Sequence, residues 1–185
     1  MKVLFLDHDG VICLSAQWGG RYKKKGYDSN PATPLDIRMD SFDKKAVDVL
    51  NKIIDITGCE LVISSDWKRW GTIEQMRDMF ITRGIKPPIS YTPDLKDFDD
   101  DLFHKLYACN DFETIRILEI NKYLKEHPEV THWVAVDDMD LGEKIGPISG
   151  NSNGGLKNFV ITKKPYNEGI KQCGVKEKLI KFLND

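Results

Sequence analysis

The sequence predicts an α/β protein with a mostly parallel sheet covered by helices on both faces. Three observations predict it. Short apolar runs, Val3-Leu4-Phe5-Leu6, Leu61-Val62-Ile63 and Trp133-Val134-Ala135-Val136, lack polar alternation, the pattern of strands buried on both sides. Segments of helical apolar spacing separate these runs. Each run stops abruptly at polar groups: Asp7 and Asp9, Ser64 and Ser65, Asp137 and Asp138.

The first strand, Val3 to Leu6, leads into Asp7-His8-Asp9-Gly10. Side chains two apart on extended chain point the same way, so both carboxylates can face one pocket, and Gly10 lets the backbone turn away. Ser15 to Asp40 is polar and glycine-rich without apolar periodicity, and reads as a long loop. It carries the basic run Arg21 to Lys25, which reads as a solvated loop face, and Trp18 and Tyr22, candidates for contacting a nucleotide. Ser41 is expected to cap a helix to about Ile56, closed by Gly58. The second strand, Leu61 to Ile63, follows. Thr72 then opens a helix from Ile73 to about Arg83, and Lys86 to Pro93 gives a short edge strand.

Asp94 to Asp111 reads as acidic and irregular, with a helical turn or two over Leu102–Tyr107. A stronger helix spans Phe112 to Glu126, stopped by His127-Pro128. The strand His132 to Val136, a turn-rich Gly142–Gly155, the strand Asn158 to Thr162 and a helix over Val175–Leu183 complete the chain. No repeat or linker divides it, so one domain is expected over 1–185, with 13–40 and 94–111 as candidate lid or substrate loops.

Composition narrows the function classes. A net charge of −2 gives no global pull toward nucleic acid or acidic membranes. No apolar run reaches membrane-span length, and a soluble, cytoplasmic protein is expected. Cys13, Cys59, Cys109 and Cys173 form no CxxC pair, which argues against a zinc site and for reduced, mostly buried thiols. The four histidines show no ligand spacing. Trp67 and Trp133 read as core residues.

In an open parallel sheet the C-terminal strand ends converge on one crevice. Four carboxylates gathered there repel one another, and a divalent cation offsets that repulsion. Mg²⁺ takes oxygen ligands and commonly pairs one or two carboxylates with substrate phosphate. The strand ends therefore point to a shared Mg²⁺ and phosphate site.

These residues resemble the haloacid dehalogenase (HAD) superfamily, whose members are mostly phosphatases. Leu6-Asp7-His8-Asp9-Gly10-Val11 matches the DxDG motif, Val62-Ile63-Ser64 the strand ending in Ser or Thr, and Asp137-Asp138 the acidic motif. The remaining motif is a Lys or Arg in or before the helix leading to the acidic strand, and Arg116 fills it. The chain is also similar to the HAD domains of Swiss Army Knife RNA-repair proteins. The matching strings are Ser64-Ser65-Asp66-Trp67-Lys68, Thr92-Pro93-Asp94, Arg116 with Glu119-Ile120, and Trp133 to Asp138, although Lys68 stands where arginine is expected.

The resemblance implies a three-layer, Rossmann-like HAD fold with a small cap or none. It implies catalysis through an aspartyl-phosphate, with Asp7 as nucleophile and Asp9 as acid and then base. Mg²⁺ would be held by the Asp7 carboxylate, the Asp9 backbone carbonyl and the pair Asp137 and Asp138, with Asp138 the preferred direct ligand. Ser64 would hydrogen-bond a phosphoryl oxygen, with Ser65 as its neighbouring alternative. Arg116 would stabilise phosphoryl charge, with Lys105 and Lys122 as alternatives. The expected substrate is a phosphorylated small molecule or a nucleic-acid end. The rival reading is a catalytically silent binding module. A phospho-receiver is disfavoured, because there the acidic pair comes on the first strand.

Overall fold

The computed structural model describes residues 1–14, 35, 42–142, 154–162 and 168–185. Apart from Leu35, the Ser15–Asp40 loop lies outside the described residues, with Trp18, Tyr22 and Arg21–Lys25, as do Ser41 and most of the turn-rich stretch before Gly155.

Five strands form one parallel sheet: β1 (Lys2–Leu6), β2 (Glu60–Ile63), β3 (Ser90–Tyr91), β4 (His132–Asp137) and β5 (Phe159–Ile161), in the order β3-β2-β1-β4-β5. Strand β1 is central because it is apolar on both faces. Leu4 and Leu6 point into one core layer and Val3 and Phe5 into the other. Helices α1 (Lys44–Thr57) and α2 (Ile73–Thr82) cover the first face. On the second face Phe5 packs edge-on against Tyr123 and Trp133, with ring centroids 5.4 and 5.9 Å away. Fully burying one such side chain contributes ~1.5–3 kcal/mol.

Asp43, not the expected Ser41, caps α1. Its carboxylate accepts from Ala46 N at 2.8 Å, and Gly58, at φ 66°, closes the helix. Thr72 caps α2 through a capping box with Gln75.

The 94–111 segment corrects the irregular reading. It forms two helices, α3 (Leu95–Phe98) and α4 (Asp100–Ala108). Its acids are helix starts rather than a solvated loop. The side chains of Asp94 and Asp99 cap the two helices, and Asp100 and Asp101 lie in the first turn, where the helix dipole favours negative charge. Leu95, Phe103 and Leu106 bury with Ile115 in a satellite core.

That core lies against α5 (Phe112–Glu126), capped by Asp111. Helix α5 is buried on more than one side. Ile117, Ile120 and Tyr123 pack on the sheet, Ile115 meets the satellite core, and Arg116 and Glu119 form a buried polar stripe between them. Helix α6 (Val175–Asn184) returns to the first face through Val175, Leu179 and Leu183. All four cysteines are free. Cys13 and Cys59 are buried, but Cys109 and Cys173 are exposed, against the expectation of mostly buried thiols. Among the described residues no helix is long and apolar enough to cross a membrane.

Candidate active site

Strand register brings the polar strand ends to one level. Leu6 pairs with Ile63 on one side and with Val136 on the other. Asp7, Ser64 and Asp137 each come next in sequence. The ladder continues through Asp7 N donating to Val136 O at 3.1 Å and Ser64 N donating to Leu6 O at 2.9 Å. The strand order reverses at β1, where such sheets open their ligand crevice.

One side chain reaches into this level from α5. Arg116 is 6% exposed, and its Nη1 lies 3.1 Å from Asp7 Oδ1 and 3.0 Å from Asp137 Oδ2. The same nitrogen donates to the Ser64 carbonyl. An arginine this deep persists only when paired. The competing cations lie elsewhere: Lys105 is exposed on α4, and Lys122 pairs with Glu126 at 2.9 Å.

The carboxylates show the strain of crowding. Burial pushes the Asp7 carboxyl up to about 7, with the charges of Asp9 and Asp138 adding to the rise, while Arg116 and a hydrogen bond with Ser65 oppose it. Asp137 is also raised well above the ordinary carboxylate range, by burial and then by Asp7, against the pull of Arg116. Burial opposes the Arg116 charge, but Asp137 and Asp7 hold the guanidinium protonated above its ordinary value.

Asp7, Asp137 and Asp138 each offer an oxygen within 4.8 Å of the others. This all-oxygen, mostly buried set has the chemistry that a hard divalent cation takes. The Asp9 side chain is outside that set. Both Asp137 oxygens accept hydrogen bonds, from Arg116 and from Met139 N at 2.9 Å. Asp138 is half-buried and lies over Gly10, where an added Cβ would meet its carboxylate at 2.5 Å. Gly10 also has φ +72°, so the turn requires glycine twice over. Thr162 Oγ1 donates to Gly10 O at 3.0 Å and ties this turn to the end of β5.

The two serines separate in role. Ser65 Oγ accepts from Trp67 N and caps the 3₁₀ turn Asp66–Arg69. Ser64 Oγ is buried with no hydrogen-bond partner among the described residues. Such an orphan inside a carboxylate and guanidinium site fits an anionic oxygen that arrives with a ligand.

Several residues here escaped the sequence reading. Trp67, placed in the core, is buried but also donates its indole Nε1–H to Asp9 Oδ2 at 3.2 Å. Its ring stacks on His8, with centroids 4.5 Å apart and planes 7° apart. Burial drives the His8 imidazole down to about 3, with Arg116 adding to the fall, so it is neutral, and neither ring nitrogen has a hydrogen-bond partner. Lys68 Nζ lies 2.7 Å from Glu119 Oε2 and also donates to the Thr92 and Pro93 carbonyls. The sequence carried these residues only as motif strings, Asp7-His8-Asp9, Ser65-Asp66-Trp67-Lys68, Thr92-Pro93 and Glu119-Ile120, with no sign of the contacts between them.

Comparison with known proteins agrees with the geometry. The family model described as the HAD domain in Swiss Army Knife RNA repair proteins matches residues 3–160. No match is found among curated proteins or among solved structures. That match takes in Asp7, Asp9, Ser64, Arg116, Asp137 and Asp138, and the chain belongs to the HAD superfamily, in the family of HAD domains of Swiss Army Knife RNA repair proteins.

Proposed function

We propose that the chain is a Mg²⁺-dependent phosphomonoester hydrolase that works through an aspartyl-phosphate on Asp7. The observation that carries this reading is Asp7 itself, a buried carboxylate placed between the Arg116 guanidinium and a carboxylate set able to take a cation, with the unpartnered Ser64 Oγ beside it.

Asp7, Asp138 and the Asp9 backbone carbonyl would hold the ion, with Asp137 as a further ligand or as support through Arg116. Bound there, Mg²⁺ supplies the charge neutralisation that lets a carboxylate approach a phosphate dianion. An Asp7 oxygen forms a bond to phosphorus as the bond to the leaving oxygen breaks, and Asp9 gives that oxygen its proton. Asp9, now a carboxylate, takes a proton from water. The water oxygen attacks phosphorus and releases inorganic phosphate and the Asp7 carboxylate. Arg116 and the Ser64 hydroxyl bind the phosphoryl oxygens throughout.

The substrate we propose is a phosphorylated small molecule or a nucleic-acid end. The RNA-repair family description favours the nucleic-acid end. The test is phosphate release with Mg²⁺ from p-nitrophenyl phosphate, nucleoside monophosphates, sugar phosphates, and RNA and DNA oligonucleotides carrying 3′- or 5′-phosphate. Release by wild type that Asp9→Asn abolishes supports the reading, and the best substrate names the class. No release from any member would turn the weight to a catalytically silent binding module.

A further inference from the structure

In the reading above Asp9 protonates the leaving oxygen, and Trp67 makes a hydrogen bond to the Asp9 carboxyl. The Trp67 Nε1–H donates to Asp9 Oδ2 at 3.2 Å. An indole N–H can donate but cannot accept. Oδ2 is therefore the acceptor in this contact. The tryptophan is itself held on two sides. Its ring lies flat on His8, and its backbone N–H donates to Ser65 Oγ. Phe42 meets the same ring edge-on, with centroids 5.9 Å apart. His8 is the middle residue of Asp7-His8-Asp9, so the nucleophile, the acid and the ring that seats Trp67 are consecutive.

We propose that Trp67 is a positioning residue for Asp9, its indole N–H holding the carboxyl in the orientation that serves the leaving oxygen. This inference rests on the phosphomonoesterase reading above. In the step concerned, Asp7 bonds to phosphorus, the bond from phosphorus to the alcohol oxygen breaks, and a proton passes from the Asp9 carboxyl to that oxygen. His8 contributes the flat ring on which Trp67 lies.

Two measurements on the full chain test this. The first does not need activity. Trp67→Phe identifies one of the four tryptophan indole N–H resonances in a ¹H–¹⁵N spectrum by deleting it. Asp9→Ala should move that resonance upfield and speed its exchange with solvent. A resonance unmoved by Asp9→Ala overturns the contact and the proposal with it.

The second compares kcat/KM with Mg²⁺ for p-nitrophenyl phosphate and for the best-hydrolysed alkyl phosphate. p-Nitrophenolate leaves as a stable anion, whereas an alkoxide must be protonated as it leaves. kcat/KM ends at phosphoryl transfer to Asp7, so the later water step does not enter. Trp67→Phe should raise the ratio of p-nitrophenyl phosphate to alkyl phosphate by about tenfold or more, because the loss falls on the substrate that needs the acid. An equal fall on both substrates would mean a merely structural role, and an unchanged ratio overturns the proposal. If Asp9→Ala shifts the resonance yet wild type releases phosphate from neither substrate, the phosphatase reading has failed rather than the contact.

Discussion

Arg116 Nη1 lies 3.1 Å from Asp7 Oδ1 across 109 residues of chain, and both side chains are almost wholly buried. Removing the guanidinium strands two carboxylates, Asp7 and Asp137, in a site without water enough to solvate them. Arg116→Met should therefore lower stability by ~3–5 kcal/mol at pH 7.5, the usual result of breaking a buried pair from one side. Arg116→Lys should recover part of that loss, since it restores a cationic nitrogen but on a shorter, differently shaped side chain. Urea unfolding of the three proteins measures both, and an Arg116→Met protein as stable as wild type would refute the pairing.

The raised Asp7 carboxyl makes a pH prediction. Its value of about 7 stands above the ordinary 3.8, so the native state keeps a proton that the unfolded chain has lost. Its contribution to stability therefore improves as pH falls through 7. Without metal, wild type should gain about 1.4 kcal/mol over Asp7→Asn between pH 8 and pH 6, or ~3–5 °C in Tm. Saturating Mg²⁺ should remove the gain by favouring the carboxylate. Melting curves in EDTA and in Mg²⁺ at the two pH values decide it.

His8 has the opposite sign. Its imidazole is lowered to about 3 from 6.5, so the unfolded chain takes up a proton that the native ring refuses. Stability is lost as pH falls through 6.5. Between pH 7.5 and pH 5 wild type should lose about 2 kcal/mol relative to His8→Phe, which keeps a ring on Trp67 but cannot titrate. Parallel slopes for the two proteins would show that His8 ionises normally.

Lys68 and Glu119 form a second buried pair, with side chains 5% and 2% exposed. Burial lowers the Lys68 ammonium and raises the Glu119 carboxyl, while each opposes the shift of the other. Glu119 also accepts from Leu95 N at 3.1 Å, so the pair fastens the 3₁₀ turn and the start of α3 to α5. Lys68→Met alone should cost ~3–5 kcal/mol, and Lys68→Met with Glu119→Leu markedly less. Simple additivity in that double-mutant cycle would count against coupling.

Much of this site was legible because apolar runs of β1, β2 and β4 end visibly in Asp7, Ser64 and Asp137. A parallel sheet lines up such ends without further information. Arg116 was legible only as a cation on the right helix. Its depth depends on α5 being covered on two sides, which single-face periodicity does not reveal. The 94–111 helices were hidden because their few apolar anchors, Leu95, Phe103 and Leu106, sit among acids that local composition presents as a charge run. The Trp67–Asp9 bond joins residues 58 apart in a geometry set by tertiary packing, and no spacing rule reaches it.

The central place of β1 has a consequence for synthesis. The strand is made well before β4, yet Lys2 pairs with His132 and Val3 with Trp133 on that side. At about 5–20 residues per second, that partner is made on the order of ten seconds later. Until then an apolar strand, open along one edge, has no native neighbour there. Nascent chains stalled before β4 emerges should be cut readily by protease near β1, and chains stalled after it should resist.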